Sequence, residues 1–283
     1  MKLLLTILKL LMVVSGAMFL TALTINATDN LGNFSKSALG GMVAGVFGQP
    51  DRCPKGMTLV DSSTGGFCID VYEAAPSKEC SYPDPSNQFE TRNNLTVPKC
   101  IPVSEQDRTP WRNISQTQAV SACIKAGKRL PTNQEWYLAS VGTPDPSSGW
   151  DANSCNVSNN WSPSQPGKTG SAPSCVSYYG AHDMIGNVWE WVSDTIKQGD
   201  YNGVQVPDPG FVASVDETGI PTMTATSSDP NYNDDRFWSE KTQVVGIFRG
   251  GYWASGSEGG LYSVYAQMPP SFVGTGVGFR CVK

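Results

Sequence analysis

The sequence has few groups that could support metal-dependent or redox chemistry. It contains one histidine, His182, and none of its eight cysteines forms a C-x-x-C pair. A single imidazole excludes a site built from several histidines, and the missing C-x-x-C spacing excludes zinc-ribbon and thioredoxin-like motifs. Charged residues make up only 16% of the chain, and its net charge is -5. This acidic balance excludes the basic face that a nucleic-acid partner requires.

The N-terminus carries an apolar run that indicates targeting. Lys2 and Lys9 precede an uncharged apolar segment, residues 10–25. This segment is long for the apolar part of a signal peptide and shorter than the ~20 residues of a spanning helix. We therefore predict that residues 1–27 are a signal peptide or a signal anchor. Residues 28–50, rich in Gly, Ser and Asn, are predicted to be a flexible tether, and residues 51–283 the folded domain.

Cysteine usage also indicates export. Eight widely spaced cysteines outside the cytosol predict four disulfides, although the sequence leaves their connectivity open. We favour three pairs of chain neighbours and one pair that joins a helix to the last strand: Cys53–Cys68, Cys80–Cys100, Cys155–Cys175 and Cys123–Cys281. Glycosylation sequons also fit an exported surface, at Asn26, Asn33, Asn94, Asn113, Asn156 and Asn160.

Local patterns predict a β-hairpin and two helices. The hairpin pairs residues 57–60 with residues 67–73, and a proline- and asparagine-rich loop follows over residues 75–111. The first helix begins after Ser115, which forms a capping box with Gln118, and ends at Gly127. Its buried face is predicted to contain Ala119, Val120, Cys123 and Ile124. A second short helix has Thr132 as N-cap and Glu135 in its first turn, and mostly loop is expected after Ala139 until the closing strands.

Four ordered motifs carry a family resemblance: "ACIKAGKRLPTNQEW" (122–136), "YGAHDMIGNVWEWVSD" (179–194), "FRGGYW" (248–253) and "GFRC" (278–281). The chain resembles the formylglycine-generating-enzyme (sulfatase-modifying factor) domain, a variant of the C-type lectin fold. The resemblance implies one α+β, C-type lectin-like domain with few regular elements, long loops and disulfides. It also supports the Cys123–Cys281 pair. Trp189 and Trp191 are predicted to lie in the core, and Arg249 and Arg280 to make buried polar pairs.

The residues that the enzymes of this family require are missing. The resemblance places Ser255 and Gly260 where the formylglycine-generating enzymes have two copper-binding cysteines, and neither residue supplies a thiolate. The iron-dependent branch needs several histidines, and this chain has one. We therefore expect no required cofactor.

The resemblance also implies a structural calcium ion. The matching ligands are the backbone carbonyls of Ile185, Gly186 and Val188 and the carboxylate of Glu190. A buried salt bridge between Glu190 and an arginine remains the alternative.

The closing segment, residues 248–281, resembles the variable region of retroelement-diversified proteins, which use this same domain. Aligned on that pattern, Trp253 belongs to the framework, and the variable, ligand-binding positions are Tyr252, Ala254, Ser255, Glu258, Tyr265, Gln267, Met268, Phe272, Gly274 and Gly276. Strand alternation places Ser263, Tyr265 and Gln267 on one face of "YSVYAQM". Tyr, Ser, Gly and Ala on a rigid scaffold are typical of binding surfaces. We expect Tyr252, Ala254, Ser255, Tyr265 and Gln267 to form one largely exposed patch.

These observations predict an exported protein, either secreted or anchored at the cell surface. Its predicted function is non-catalytic binding of an extracellular protein or glycan through a diversified surface. No nucleic-acid partner is expected, and membrane contact is expected only through the N-terminal segment. The alternative is an enzyme of the formylglycine-generating class with an altered active centre.

Overall fold

The computed structural model describes residues 53–62, 65–161 and 165–283. The predicted leader and tether lie outside these residues. Within the described residues, no helix has both the length and the apolar character needed to cross a membrane.

The described part contains three short helices and a set of short strands. The helices are α1 (Gln88–Thr96), α2 (Gln116–Lys125) and α3 (Asn133–Ser140). The strands are β1 (Met57–Val60), β2 (Phe67–Asp70), β3 (Ala75–Pro76), β4 (Pro102–Val103), β5 (Trp189–Lys197), β6 (Asp200–Tyr201), β7 (Val204–Gln205), β8 (Gly210–Val215), β9 (Pro221–Ala225), β10 (Arg236–Ser239), β11 (Val244–Arg249), β12 (Val264–Ala266) and β13 (Val277–Phe279). The predicted α+β class with few regular elements, long loops and disulfides is confirmed.

The predicted capping residues begin both predicted helices. Ser115 caps α2 and Thr132 caps α3, and each forms a capping box, with Gln118 and Glu135 respectively. These side chains satisfy amide groups that a helix start leaves without partners. Gly127 follows α2 with φ +67°, a conformation that glycine adopts at little cost and that ends the helix.

Three local predictions are wrong. The segment predicted as loop after residue 75 contains α1, which the Asn87 side chain caps although its apolar residues lack helical spacing. The segment after Ala139 contains most of the main sheet, because its strands are too short and irregular to give a clear alternating pattern. On α2, Ile124 is exposed and Ala122 takes the buried place, since Ala122 lies on the same face as Ala119 and Cys123.

One sheet organises the described residues. Its strand order is β7-β6-β5-β11-β12-β10-β8-β9, and β13 pairs with β5. The β10–β12 and β5–β13 pairs are parallel, whereas β5–β11 and β11–β12 are antiparallel. Phe248 on β11 therefore lies between Trp191 on β5 and Tyr265 on β12. This register places a row of aromatic side chains beneath the closing segment.

Four disulfides connect the long loops to this framework. They are the four predicted pairs: Cys53–Cys68, Cys80–Cys100, Cys123–Cys281 and Cys155–Cys175. The Cys123–Cys281 bond joins α2 to the end of β13 across 158 residues. It closes the longest loop, so in chain-entropy terms it restricts the unfolded chain most.

The sequons inside the domain do not lie on an open surface. Asn94 and Asn156 are fully buried, and Asn113 is nearly so. The Asn94 amide bonds to the backbone of Tyr82 through both its oxygen and its nitrogen. The Asn160 amide donates to two backbone carbonyls. These side chains support loops, so these four sequons carry no weight as evidence for export.

Candidate functional site

An aromatic cleft lies at the closing segment and has a volume of about 310 Å³. We use the name aromatic cleft for this cavity. The residues that line it are Trp189, Phe248, Tyr252, Tyr265, Met268, Phe272, Gly274, Thr275, Gly276 and Val277. Six of the ten predicted binding positions are in this set: 252, 265, 268, 272, 274 and 276. The resemblance named these six as binding positions, but the sequence predicted an exposed patch, and only Tyr252 and Tyr265 of that patch line the cleft.

The floor of the cleft is a packed group of rings from neighbouring strands. Tyr265 stacks on Phe248, with centroids 5.4 Å apart and an interplanar angle of 11°. Trp189 lies 5.8 Å from Tyr265 and meets Trp238 edge to face. Trp189 and Phe248 are buried, whereas Tyr265 is half-buried. The floor is therefore rigid framework, and the half-buried ring of Tyr265 faces the cleft.

One wall of the cleft is held by backbone groups. We call residues 268–276 the backbone-anchored loop. Its carbonyls at 268, 270, 274 and 276 accept hydrogen bonds from framework amides, at 2.8–3.1 Å. The donors are Gly246, Gln116, Asn113 and Trp189. Because every residue type has the same carbonyl, these bonds do not depend on the side chains that the loop carries.

The segment before the cleft is held differently. We call residues 258–263 the side-chain-anchored turn. Asp145 accepts a hydrogen bond from the Leu261 amide at 2.7 Å, and Asp235 accepts one from the Tyr262 amide at 2.6 Å. The Ser263 hydroxyl bonds to both Asp235 and the Glu258 carbonyl. The turn thus depends on particular carboxylate and hydroxyl groups.

Four predicted binding positions lie outside the cleft lining. Ala254 is exposed. The Ser255 hydroxyl accepts from the Tyr252 amide at 3.0 Å, and Glu258 pairs with Arg236 at 3.0 Å. Within the part of the chain that the structure describes, the Gln267 amide reaches only the Ser239 carbonyl, at 3.5 Å. The five residues expected to form one exposed patch are therefore divided, and the two tyrosines among them are half-buried.

Two details of the predicted alternation also differ. Trp253 is half-buried rather than in the core, and its ring meets that of Tyr252 edge to face at 5.2 Å. Ser263 is fully buried because the strand covers only residues 264–266, so Ser263 belongs to the preceding turn. Sequence alternation cannot reveal where so short a strand begins.

The position of the second missing cysteine is filled by carboxylates. A methyl group built on Gly260 would clash with side-chain oxygens of both Asp145 and Asp235. Burial raises the pKa of Asp145 to about 7. The pKa of Asp235 is also raised, first by burial and then by the nearby charge of Asp145. A thiol could enter only if these carboxylates moved. No sequence motif marked them, because they come from separate loops.

The arginines predicted to form buried polar pairs behave differently from each other. Arg280 makes a two-point salt bridge with Glu190, at 2.6 and 2.7 Å. Arg249 instead donates to the carbonyls of Gly219 and Leu261, and its guanidinium lies 5.1 Å from the ring of Trp136. Burial lowers the pKa of Arg249 to about 10, so it remains charged at neutral pH.

The predicted calcium ligands fit this arrangement poorly. Glu190 is the only side-chain ligand in the set formed with Ile185, Gly186 and Val188. Its oxygens already accept bonds from Arg280 and from the Trp136 indole, the latter at 2.8 Å. A calcium ion on this carboxylate would lie beside a guanidinium, and like charges repel. The geometry fits the salt bridge that the sequence left as the alternative.

Comparison with known proteins identifies relatives. Residues 68–283 match the family model "Sulfatase-modifying factor enzyme 1-like domain". The chain is 29% identical to a formylglycine-generating enzyme of Thermomonospora curvata over 141 residues. This match covers 44% of this chain and 46% of that enzyme. Over 171 residues it is 28% identical to a hercynine oxygenase of Mycobacterium tuberculosis, covering 58% of this chain and 33% of the relative. The chain thus spans less than half the length of both relatives.

Among solved structures, Treponema denticola variable protein 1 is similar, with a TM-score of 0.44 and 16% identity. That likeness covers 81% of this chain and 91% of the other.

Proposed function

Because this chain belongs to the family of sulfatase-modifying factor enzyme 1-like domains, we propose that it keeps the family scaffold without the family's chemistry. It acts as an exported, non-catalytic protein that binds a ligand through a diversified surface in residues 248–281. Four disulfides favour the oxidising environment of an exported protein. The observation that carries the proposal is the aromatic cleft, which collects six of the ten predicted binding positions.

The anchoring of the cleft supports variation at these positions. The backbone-anchored loop is held by bonds that survive side-chain replacement, and the floor is supplied by Trp189 and Phe248 from strands β5 and β11. A surface that presents different side chains on an unchanged backbone needs both features: bonds that do not involve the varied side chains, and a floor made of residues that do not vary.

Two experiments test whether the cleft positions vary: one on the folding of randomised protein variants and one on the genomic DNA. The full chain is expressed with positions 252, 265, 268, 272, 274 and 276 randomised, and the fraction of folded, protease-resistant variants is compared with a library randomised at Trp191, Phe279 and Arg280. We expect most variants of the first library to fold and few of the second. In genomic DNA, a nearby near-copy of the last coding segment that differs at adenines, beside a reverse-transcriptase gene, would establish diversification. Equal losses in both libraries would contradict the proposal.

The second candidate is an enzyme with an altered centre, and the named relatives favour it because they are enzymes. Ser255 and Gly260 argue against copper-thiolate chemistry, since neither supplies sulfur. The purified full chain is incubated with a cysteine peptide of the sulfatase type, with and without copper, and analysed by mass spectrometry. We expect no formylglycine above the blank without protein. Turnover above that blank would favour the second candidate.

A further inference from the structure

We propose, building on the binding function proposed above, that the group entering the aromatic cleft is an uncharged aromatic side chain of a protein partner. The sequence left a protein and a glycan equally open as targets. The lining of the cleft distinguishes between them.

The charge of the lining limits the ligand first. None of the ten lining residues is acidic or basic. A charged group that entered would lose hydration without gaining an ion-pair partner, which is costly. An uncharged group is therefore favoured.

The polar groups of the lining limit it further. The side chains of the lining carry four hydrogen-bonding groups: the hydroxyls of Tyr252, Tyr265 and Thr275 and the indole N–H of Trp189. A sugar ring carries a hydroxyl on most of its carbons, and each buried hydroxyl needs a partner. The side chains of the lining offer no carboxylate, amide or guanidinium for this purpose. It thus suits a ligand with fewer polar atoms than a sugar ring.

The arrangement of the rings points to an aromatic ligand. Phe248 and Tyr265 stack, and Trp189 and Phe272 lie tilted around them at 5.8 Å from Tyr265 and 6.0 Å from Phe248. A further ring would extend this cluster in the tilted or edge-to-face geometry that aromatic groups prefer. Burial raises the pKa of Tyr265, so its hydroxyl stays protonated and can donate a hydrogen bond. Within the described residues, neither this hydroxyl nor that of Tyr252 has a hydrogen-bond partner.

The size of the cleft agrees with a single side chain. Its volume of about 310 Å³ is at the small end of ligand sites, which typically measure ~300–1,000 Å³. One indole or phenol with its attached backbone fits that space. We therefore expect an anchor residue on a protein surface, the type of group that dominates many interfaces.

The test uses the full chain with three small uncharged probes and one cation, choline. Saturation-transfer NMR is recorded with N-acetyl-tryptophanamide, methyl glucoside, choline and 3,3-dimethylbutanol, each at the same millimolar concentration. We expect the largest transfer to N-acetyl-tryptophanamide, through its indole protons. Choline and dimethylbutanol have the same shape, so a preference for choline would reveal a cation site.

A pair of variants links the signal to the cleft. Met268→Glu places a carboxylate in the lining, whereas Met223→Glu makes the same substitution at an exposed residue of β9, outside residues 248–281. We expect at least a tenfold loss of affinity for N-acetyl-tryptophanamide with Met268→Glu and less than a twofold change with Met223→Glu. Thermal unfolding and near-ultraviolet circular dichroism of both variants establish that they fold.

Each other outcome overturns this proposal. Stronger transfer to methyl glucoside or choline, no transfer to any probe, or equal losses in the two variants would each be incompatible with an aromatic anchor. None of these results would contradict the proposed binding function. That function is contradicted by two other results: production of formylglycine by the purified chain, or loss of folding when the cleft positions are randomised.

Discussion

The side-chain-anchored turn and the backbone-anchored loop belong to one segment and are held in opposite ways. In the turn, Asp145, Asp235 and Ser263 hold the chain through their own side chains. In the loop, carbonyls of the chain accept bonds from amides of the framework. The loop can therefore change its side chains and keep its path, whereas the path of the turn depends on two carboxylates outside it, Asp145 and Asp235, and on the hydroxyl of Ser263 within it.

This difference divides the predicted variable region. Positions 268, 272, 274 and 276 lie in the backbone-anchored loop and line the aromatic cleft. Glu258 lies in the turn, where its carboxylate pairs with Arg236 and its carbonyl accepts from Ser263. Variation is thus expected to be concentrated in the loop, although the sequence pattern treats both parts alike.

Removing an anchor of the turn should have the largest effect. In Asp235→Ala, the Tyr262 amide and the Ser263 hydroxyl both lose a buried acceptor. We expect a loss of about 3 kcal/mol in the free energy of unfolding, measured by denaturant titration. Asp208→Ala is the control, since it removes only a surface ion pair with Lys241 and should cost ~0–1 kcal/mol. A similar loss in both variants would contradict the role of the turn.

The second anchor should make stability depend on pH. Burial raises the pKa of Asp145 to about 7, while in the unfolded chain it is near 3.8. At pH values between about 4 and 7, Asp145 therefore keeps its proton in the folded protein and loses it in the unfolded chain. The contribution of Asp145 is therefore greatest below about pH 4 and is lost as the pH rises through about 7.

Asp145→Asn removes this titration and keeps an oxygen that can accept from the Leu261 amide. We expect the variant to be more stable than the parent by about 2 kcal/mol at about pH 8, with little difference at about pH 4. Thermal unfolding at both pH values measures this. A variant that is less stable at the higher pH would show that the ionised carboxylate is needed there.

The sequence predicted the scaffold better than the site, for physical reasons. Capping boxes are local, so Ser115 and Thr132 marked their helices without tertiary information. The α2 face that contains Ala122 was misassigned, because small residues give a weak periodic signal. Asp145 and Asp235 gave no signal, since their role depends on loops that meet only in the fold.

The sequence predicted an exposed patch of variable residues and not a cleft. The resemblance named Tyr252, Tyr265 and Phe272, but not that Trp189 and Phe248 form a floor beneath them. Cross-strand register determines that floor, and the register of strands as short as β12 cannot be determined from alternation. For the same reason Tyr265 was expected to be more exposed than it is.

Tyr265→Ala measures how far a cleft residue contributes to stability. Exposed substitutions usually cost within ~0.5 kcal/mol, and the sequence predicts that value. Tyr265 is half-buried and stacks on Phe248, so we now expect a loss of about 1–2 kcal/mol. Denaturant unfolding measures this loss, and Trp191→Ala, at the fully buried neighbour of Phe248, should exceed it by at least twofold. Equal losses would make Tyr265 a core residue and remove it from the binding surface.

Among these variants, Gln267→Ala should change the free energy of unfolding least. Its amide makes one long contact, 3.5 Å to the Ser239 carbonyl, and the carbonyl of its neighbour Ala266 is independently held by the Glu240 amide at 2.9 Å. Because the strand stays anchored through its backbone, we expect a change within ~0.5 kcal/mol. Ser263→Ala, four residues earlier and inside the turn, should cost more than this, since it removes a buried hydroxyl that bonds to Asp235 and to the Glu258 carbonyl and leaves Asp235 only the Tyr262 amide as donor. Thermal unfolding of the two variants side by side decides whether backbone and side-chain anchoring differ as the structure indicates, and equal shifts in Tm would refute the distinction.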